Sequence, residues 1–203
     1  MNEKRRAILA AAGAALLAGV NPAKGQGSGR KMRIGVIGAG RVGGTIGELW
    51  VKAGHEVVLI SIPYAALPQV GRDLADALKG KVVLETGNPY PQRDGNMAIE
   101  ARAKGTGAAS AEFLPGVRLV RAFNSVGDVS LRSQAHRRPP RVAIPLAADD
   151  AEAMKIAAQL VEDAGFEPVP VGPLSRAREF DFGTRVYGYP LTARELRRDL
   201  GIK

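Results

Sequence analysis

The stretch MRIGVIGAGRVGGTIGELWVKAGHEVV, residues 32–58, decides the fold of this chain. A short apolar run at residues 34–37 predicts a buried strand, and an amphipathic pattern over residues 41–53 predicts a helix that Gly54 caps. Between them lies Gly38-Ala39-Gly40-Arg41-Val42-Gly43, a G-x-G-x-x-G turn. A glycine turn between a strand and a helix, followed by a second strand, is typical of a dinucleotide-binding site. The alternative is a glycine-rich turn of any α/β protein.

The glycines of this turn have separate physical roles. Gly38 allows the tight turn, Gly40 lets a pyrophosphate approach the backbone, and Gly43 lets the helix pack closely on the strand. Free N–H groups and the positive dipole end at the start of the helix then bind the phosphates. Arg41 is a candidate contact for the pyrophosphate or for a 2′-phosphate, and the alternative is a solvated surface arginine.

The composition excludes several classes of site. A chain of 203 residues with 45% apolar content can bury one sizeable core. It contains no cysteine, which excludes disulfides and thiolate chemistry, and its two histidines are far apart in sequence, so no metal site is expected. The net charge of +9 is spread over arginines without an aromatic-interleaved stripe. We therefore expect no nucleic-acid partner, and an acidic small ligand explains the charge equally well.

The first residues predict an export signal. Lys4-Arg5-Arg6 precedes an apolar run at residues 7–20 and a polar stretch at 21–30. This pattern predicts a twin-arginine-like signal over residues 1–25, a linker over 26–31 and a single domain over 32–203. The apolar run is short for a bilayer span, so an exported, periplasmic protein without a stable membrane span is expected after signal removal. The alternatives are an uncleaved anchor and a cytoplasmic protein; a homo-oligomer is compatible with the sequence.

Strands and helices alternate along the rest of the chain. Further strands are predicted at residues 57–62, 81–85, 118–122, 142–146 and 167–171. Helices are predicted between them and after them, at residues 68–79, 96–104, 109–114, 126–134 and 151–164 and in the tail. This alternation predicts the α/β class, with a doubly wound parallel sheet. In such a sheet ligands bind beyond the carboxyl ends of the strands, where Ser61, Asn88 and Asn124 supply polar groups. The two asparagines could also serve only to fold their own turns.

Four segments resemble the predicted dinucleotide-binding enzymes related to coenzyme F-420-dependent NADP oxidoreductase. They are IGVIGAGRVGGTIGELWVKAGHEV, VVLISIPYAALPQVGRDLADALKGKVVLETGNPYPQRDG, AEFLPGVRLVRAFNSV and IPLAADDAEAMKIAAQLVEDAGFEPVPVGPL. The tail is similar to that of exported members. The resemblance implies a Rossmann-like domain that binds NADP and passes hydride to or from a deazaflavin or another redox partner.

The same resemblance implies which residues bind the cofactor. Residues of the glycine turn would hold the pyrophosphate: Gly38, Gly40, Arg41, Val42 and Gly43. Ile62 and Pro63 would pack on the cofactor, and Asn88 and Pro89 would lie near the nicotinamide ribose. Phe123 and Asn124 would border the second substrate.

The chain departs from the family pattern after GHEV. That segment runs directly into VLISIP, so about one βα unit plus a strand is missing relative to the family. No carboxylate stands at the end of the strand at residues 57–62 to bind a ribose, and no arginine follows to favour a 2′-phosphate. These residues therefore do not decide between NADP and NAD. The resemblance makes NADP the expected cofactor, with NAD as an alternative. The right-handed crossover rule predicts that residues 57–62 occupy the second-strand position, in a shortened sheet of order 2-1-3-4-5.

Two functions from different classes follow. The first is an NADP(H)-dependent oxidoreductase that transfers hydride to or from a flavin-like or deazaflavin acceptor, a small-molecule partner, without an obvious catalytic acid or base. The second is a non-catalytic nucleotide- or phosphate-binding module that has lost the adenosine half of its site. The basic loop with Arg137, Arg138 and Arg141 would attract an acidic acceptor tail, unless it is only solvated charge.

Overall fold

The computed structural model of the chain describes residues 35–38, 40–53 and 58–203. The expected export signal, its linker, Ala39 and the residues that join the first helix to the second strand lie outside them. The strands are β1 Val36–Ile37, β2 Val58–Ile60, β3 Val82–Glu85, β4 Arg118–Arg121, β5 Ala143–Ala148 and β6 Glu167–Gly172. The helices are α1 Arg41–Ala53, α2 Leu67–Asp73, α3 Ala75–Leu78, α4 Pro91–Asp94, α5 Asn96–Lys104, α6 Thr106–Phe113, α7 Asp128–Gln134, α8 Ala151–Asp163 and α9 Ala193–Leu200. Short 3-10 turns occupy Tyr64–Ala66 and Leu174–Phe180.

The sheet lies between two layers of helices, which confirms the expected α/β class. Successive strand residues point to opposite faces, so β2 buries Leu59 on one face and Ile60 on the other. Helices α1, α7 and α8 cover the first face, which we call the α1 face. Helices α2, α3, α5 and α6 cover the second, the α2 face. Farther along the second face, β5 and β6 pack against the 3-10 turn after β6 and against α9.

The strand order differs from the expected one. The six strands stand in sequence order, and β2 lies between β1 and β3, with Val36 opposite Leu59 and Val58 opposite Val83. The prediction of a 2-1-3-4-5 order is therefore wrong. Strands β1 to β4 are parallel, whereas β5 runs antiparallel to β4 and β6 runs parallel to β5. The sheet is thus mostly, and not entirely, parallel.

The order of the strands gives the first crossover an unusual hand. The connections from β1 to β2, β2 to β3 and β3 to β4 move in one direction across the sheet. The helices that connect β2 to β3 and β3 to β4 lie on the α2 face, but α1, which connects β1 to β2, lies on the opposite face. The connection from β5 to β6 reverses both strand direction and helix face, so it keeps the hand of β2 to β3. Because such crossovers are almost always right-handed, the β1–α1–β2 crossover is the left-handed one.

Burial of β2 explains why the crossover rule gave the wrong order. Leu59 and Ile60 are fully buried, and each packs into a different layer. On the outer side of β1 this strand would lose its pairing with β3 and much of that burial. Burying one large apolar side chain contributes about 1.5–3 kcal/mol, so burial of these two residues favours the central position of β2.

The ends of two helices match the sequence closely. The carboxylate of Asp150 accepts a hydrogen bond of 2.8 Å from the N–H of Ala153 and so caps α8. Thr192 and Glu195 form a capping box at the start of α9. No helix in the part of the chain that the structure describes is both long and apolar enough to cross a membrane.

Gly71 marks the closest approach between α2 and α6. A Cβ added at Gly71 would overlap the carbonyl oxygen of Phe113. We expect Gly71→Ala to lower the free energy of unfolding by about 1–3 kcal/mol, because either backbone has to move. Urea denaturation measures the change. Gly40→Ala is a matched control, since a Cβ at Gly40 meets nothing within 4 Å; an equal loss in both variants would contradict the packing argument.

Candidate functional site

The loops after β3 and β4 open onto a crevice of about 320 Å³. The start of α1 contributes Val42 to its wall, and the C-terminal segment contributes Tyr187. Asn88 lines it from the loop after β3, and Phe123 and Asn124 line it from the loop after β4. The crevice therefore lies at the carboxyl ends of parallel strands, where α/β sheets of this kind bind ligands.

The glycine turn borders this crevice through α1. Gly38 has φ +90°, and a Cβ there would overlap the carbonyl oxygen of Ser61 at the end of β2. A Cβ at Gly43 would overlap the carbonyl oxygen of Gly38. These two glycines let β1, β2 and α1 approach one another, whereas Gly40 leaves open space beside the backbone. The backbone at Gly40 is therefore accessible to a phosphate group.

Arg41 is held at the rim of the crevice. Its Nε donates a hydrogen bond of 2.7 Å to Oδ2 of Asp128, the first residue of α7, and its side chain is 77% exposed. Arg132 of the same helix donates to the carbonyl oxygen of Arg41. The side chain thus joins α1 to α7, and a phosphate contact would compete with this exposed ion pair.

The two predicted asparagines lie together. Nδ2 of Asn88 donates to the carbonyl oxygen of Asn124 at 2.8 Å and to Oη of Tyr187 at 3.2 Å. Nδ2 of Asn124 donates to the carbonyl oxygen of Phe180 at 3.2 Å. The Oδ1 atoms of both are buried without a hydrogen-bond partner in the protein. These side chains therefore connect the ends of β3 and β4 to the C-terminal segment and keep unused acceptor capacity.

Other predicted site residues lie outside the crevice. Ser61 and Ile62 pack against Gly38 behind the glycine turn, and Ile62 also contacts the core of the α2 face. Pro63 is exposed before the 3-10 turn, and Pro89 is buried. None of the three arginines at residues 137–141 lines the crevice. The structure brings together Val42, Asn88, Phe123 and Asn124, while Ser61 and Ile62 support the turn from behind.

A buried ionic cluster holds the C-terminal segment beside the crevice. Nη1 of Arg121 contacts Oε2 of Glu85 at 2.5 Å, and Nη2 contacts Oδ1 of Asp181 at 3.1 Å. Arg121 also donates to the carbonyl oxygen of Gly87, and Asp181 accepts from the N–H of Thr106. Glu85 and Arg121 end neighbouring parallel strands at paired positions. The signal available in the sequence was a pair of opposite charges at the ends of two neighbouring strands.

A second carboxylate positions the loop that carries Tyr90. Asp94 accepts hydrogen bonds from the N–H groups of Tyr90 and Ala65 and from the guanidinium of Arg93. Burial alone would raise the pKa of Asp94, but these hydrogen bonds outweigh it and lower the pKa below its ordinary value. Tyr90 and Tyr187 were not among the residues predicted from the sequence, because aromatic side chains in loops carry no periodic signal.

The site fits one half of a dinucleotide better than the other. The open backbone at Gly40 and the amides of the crevice suit a phosphate, a ribose and a carboxamide. β1 forms an edge of the described sheet, and Val36 is 39% exposed, so no described strand beyond β1 provides a pocket for adenosine. The described residues include no group of three or more histidine, aspartate or glutamate side chains that could hold a metal ion.

Comparisons with known proteins support the fold. No protein-family model matches the chain, and no curated protein is significantly similar to it. Among solved structures, the chain is similar to the protein SMa0349 of Sinorhizobium meliloti, with a TM-score of 0.62 and 19% identity over 81% of this chain and 96% of that one. It is also similar to a candidate F-420-dependent NADP reductase of Arthrobacter sp. FB24, with a TM-score of 0.63 and 16% identity over 81% and 100%. The chain therefore has a Rossmann-like fold.

Replacing Arg121 tests the ionic cluster. We expect Arg121→Met to lower the free energy of unfolding by about 3–5 kcal/mol, because it leaves two carboxylates buried without their cation. Chemical denaturation measures the loss. Arg185→Met is the control: its ion pair with Asp199 is exposed, so a change below about 1 kcal/mol is expected. Equal effects of the two substitutions would contradict a structural role for the cluster.

The lowered pKa of Asp94 makes its contribution dependent on pH. A carboxyl whose pKa is lower in the folded state stabilises that state above its unfolded pKa and loses this contribution as the pH falls through the folded pKa. We expect Asp94→Asn to be destabilised near neutral pH and to approach wild type below about pH 4. Unfolding measured across this range tests it, with the exposed Asp76→Asn as control. A difference that stays constant down to low pH would show that ionisation of Asp94 does not contribute.

Proposed function

We propose that the protein is an NADP(H)-dependent oxidoreductase that transfers hydride to or from a flavin-like or deazaflavin acceptor. The observation that carries the proposal is the position of Gly40, whose open backbone lies at the start of the helix that also walls the crevice. A phosphate bound at this turn would leave the attached nucleoside next to Asn88 and Asn124. Export through the signal at residues 1–25 is part of the same proposal.

The chain's residues would bind and orient rather than transfer protons. The N–H groups at the start of α1 would hold the pyrophosphate, and Val42 would close the adjoining wall. The amides of Asn88 and Asn124 would bind the ribose and the carboxamide, and Phe123 would border the second substrate. When bound, the nicotinamide supplies hydride chemistry at its C4 position. The protein excludes water and fixes the two rings against each other, which supplies most of what direct hydride transfer requires.

The similarity to the Arthrobacter protein supports this proposal. That protein is described as a candidate F-420-dependent NADP reductase, and this chain spans its whole length in the superposition. The likeness is one of fold, so the choice of NADP over NAD and the nature of the acceptor rest on the sequence resemblance.

The edge position of β1 favours one alternative function. Since the described sheet has no strand beyond β1, the site lacks a wall for adenosine. A protein with such a site would bind a phosphate or a mononucleotide without catalysing hydride transfer. This alternative shares the glycine turn with the first proposal and differs from it in the ligand that the site selects.

Titration with NADPH, NADH and reduced nicotinamide mononucleotide separates the two functions. The oxidoreductase is expected to bind NADPH with a dissociation constant below about 1 mM and to oxidise it when a flavin or deazaflavin is added. Nicotinamide fluorescence measures binding, and loss of absorbance measures turnover. Mononucleotide binding without measurable NADPH affinity would favour the binding module and contradict the enzyme.

Gly40→Ala tests the phosphate site without disturbing the fold. The added methyl group meets no protein atom within 4 Å, but it occupies the space that a phosphate would enter. We expect NADPH affinity to fall about tenfold or more, equivalent to 1.4 kcal/mol, with little change in unfolding. Ser175→Ala is the control, because Ser175 is exposed and does not line the crevice. Unchanged affinity in Gly40→Ala would contradict the assignment of the turn.

A further inference from the structure

Two tyrosine hydroxyls lie next to each other in the wall of the crevice. Oη of Tyr90, in the loop after β3, is 2.6 Å from Oη of Tyr187, in the C-terminal segment. Nδ2 of Asn88 donates to Oη of Tyr187 at 3.2 Å. Both tyrosines line the crevice and are partly exposed to it. The pair therefore adjoins the amides that the proposed function assigns to the nicotinamide.

The hydrogen-bond inventory of the pair leaves one proton unused. Two phenols carry two hydroxyl protons, and only one of them lies between the two oxygens. If Tyr187 donates to Tyr90, the proton of Tyr90 has no acceptor; if Tyr90 donates, the proton of Tyr187 has none. Neither hydroxyl has another acceptor among the described residues. In both arrangements one O–H group remains available to a ligand in the crevice.

The surroundings keep the hydroxyl of Tyr187 protonated. The ring of Phe182 packs edge-on against both tyrosines, with centroid distances of 4.8 and 5.2 Å. Burial, followed by the hydrogen bond to Tyr90, raises the pKa of the Tyr187 hydroxyl well above its ordinary value. The other ionisable residue that lines the crevice is Asp128, whose carboxylate is paired with Arg41. The pair thus offers a neutral O–H donor in this wall.

We propose that the paired hydroxyls of Tyr90 and Tyr187 form a donor site for an anionic oxygen or nitrogen on a planar, conjugated ligand. A neutral phenol in an apolar setting stabilises such an anion effectively, and a hydrogen bond from the second phenol strengthens the donor. The crevice, at about 320 Å³, has room for one aromatic ring system beside a ribose.

The pair would have a role in the proposed hydride transfer. Which anion it binds rests on that proposed function. When hydride adds to a conjugated acceptor, the displaced electron pair of its double bond ends on a ring oxygen or nitrogen. That atom then takes one proton, so the acceptor gains two electrons and two hydrogens, while the nicotinamide is oxidised by loss of the hydride. The unused O–H group of the pair is positioned to donate a hydrogen bond to this atom while its negative charge develops, and solvent supplies the proton.

A simpler interpretation is that the pair only fixes the C-terminal segment against the loop after β3. That role predicts a loss of stability when the hydroxyls are removed, but no preference for an anion. The experiment therefore measures whether the crevice distinguishes the charged from the neutral form of one ring.

The probe is 4-nitrophenol, whose ionised and neutral forms differ in absorbance. We expect the wild-type protein to bind the ionised form at least about fivefold more tightly than the neutral form, because the anion accepts a stronger, charge-assisted hydrogen bond from the free O–H group. The double variant Tyr90→Phe/Tyr187→Phe is expected to bind the anion about tenfold more weakly. Each single variant retains one hydroxyl, so each should lose less. Tyr189→Phe is the control, since Tyr189 is 60% exposed and does not line the crevice.

The outcomes are separable. Preference of the wild type for the neutral form, or equal anion affinity in the wild type and in a folded double variant, would overturn the donor site. If the double variant does not fold, the preference of the wild type and the two single variants decide. NADPH binding is measured in parallel: a protein that binds nitrophenolate through the pair but not NADPH keeps this site and loses the proposed function. A protein that binds NADPH but shows no preference for the anion keeps the proposed function and loses the donor site.

Discussion

The buried guanidinium of Arg121 is the interaction on which the architecture of the site depends. Removing a charge from water is costly, and Glu85 and Asp181 offset this cost because their carboxylates lie within 3.1 Å. Ser110 donates to Glu85 and shares a hydrogen bond with Tyr64, so the cluster extends into the α2 face. One residue thereby joins two strands, a helix and the C-terminal segment, at the edge of the sheet where the crevice opens.

The crevice follows from this arrangement. Asp181 lies six residues before Tyr187, and the segment between them continues along the ends of β3 and β4 until Gly188 donates to the carbonyl oxygen of Ser125. The wall opposite α7 is therefore made by chain that has no regular secondary structure of its own. Its position depends on side-chain contacts with the strand ends. A site assembled in this way responds to substitutions far from any ligand.

Much of this fold could be read from the sequence, because hydrophobic period and caps are local signals. The helices predicted at residues 41–53 and 151–164 match the structure for that reason. The place of β2 in the strand order could not be predicted. A local pattern indicates that a strand is buried, but not which strand lies beside it. The same limit applies to the site. Asn88 and Asn124 follow strands and were found, whereas Tyr187 reaches the crevice through contacts between residues far apart in sequence, such as the pairing of Asp181 with Arg121.

The first strand and helix form a unit with few attachments. Among the described residues, β1 pairs only with β2, and α1 contacts β1, β2, α7 and α8. A strand at the edge of a sheet has fewer partners than a central one, so we expect this unit to contribute less stability than β3 and β4. The glycine turn lies inside this unit. A ligand bound there would therefore also stabilise the packing of β1 and α1 against the rest of the sheet.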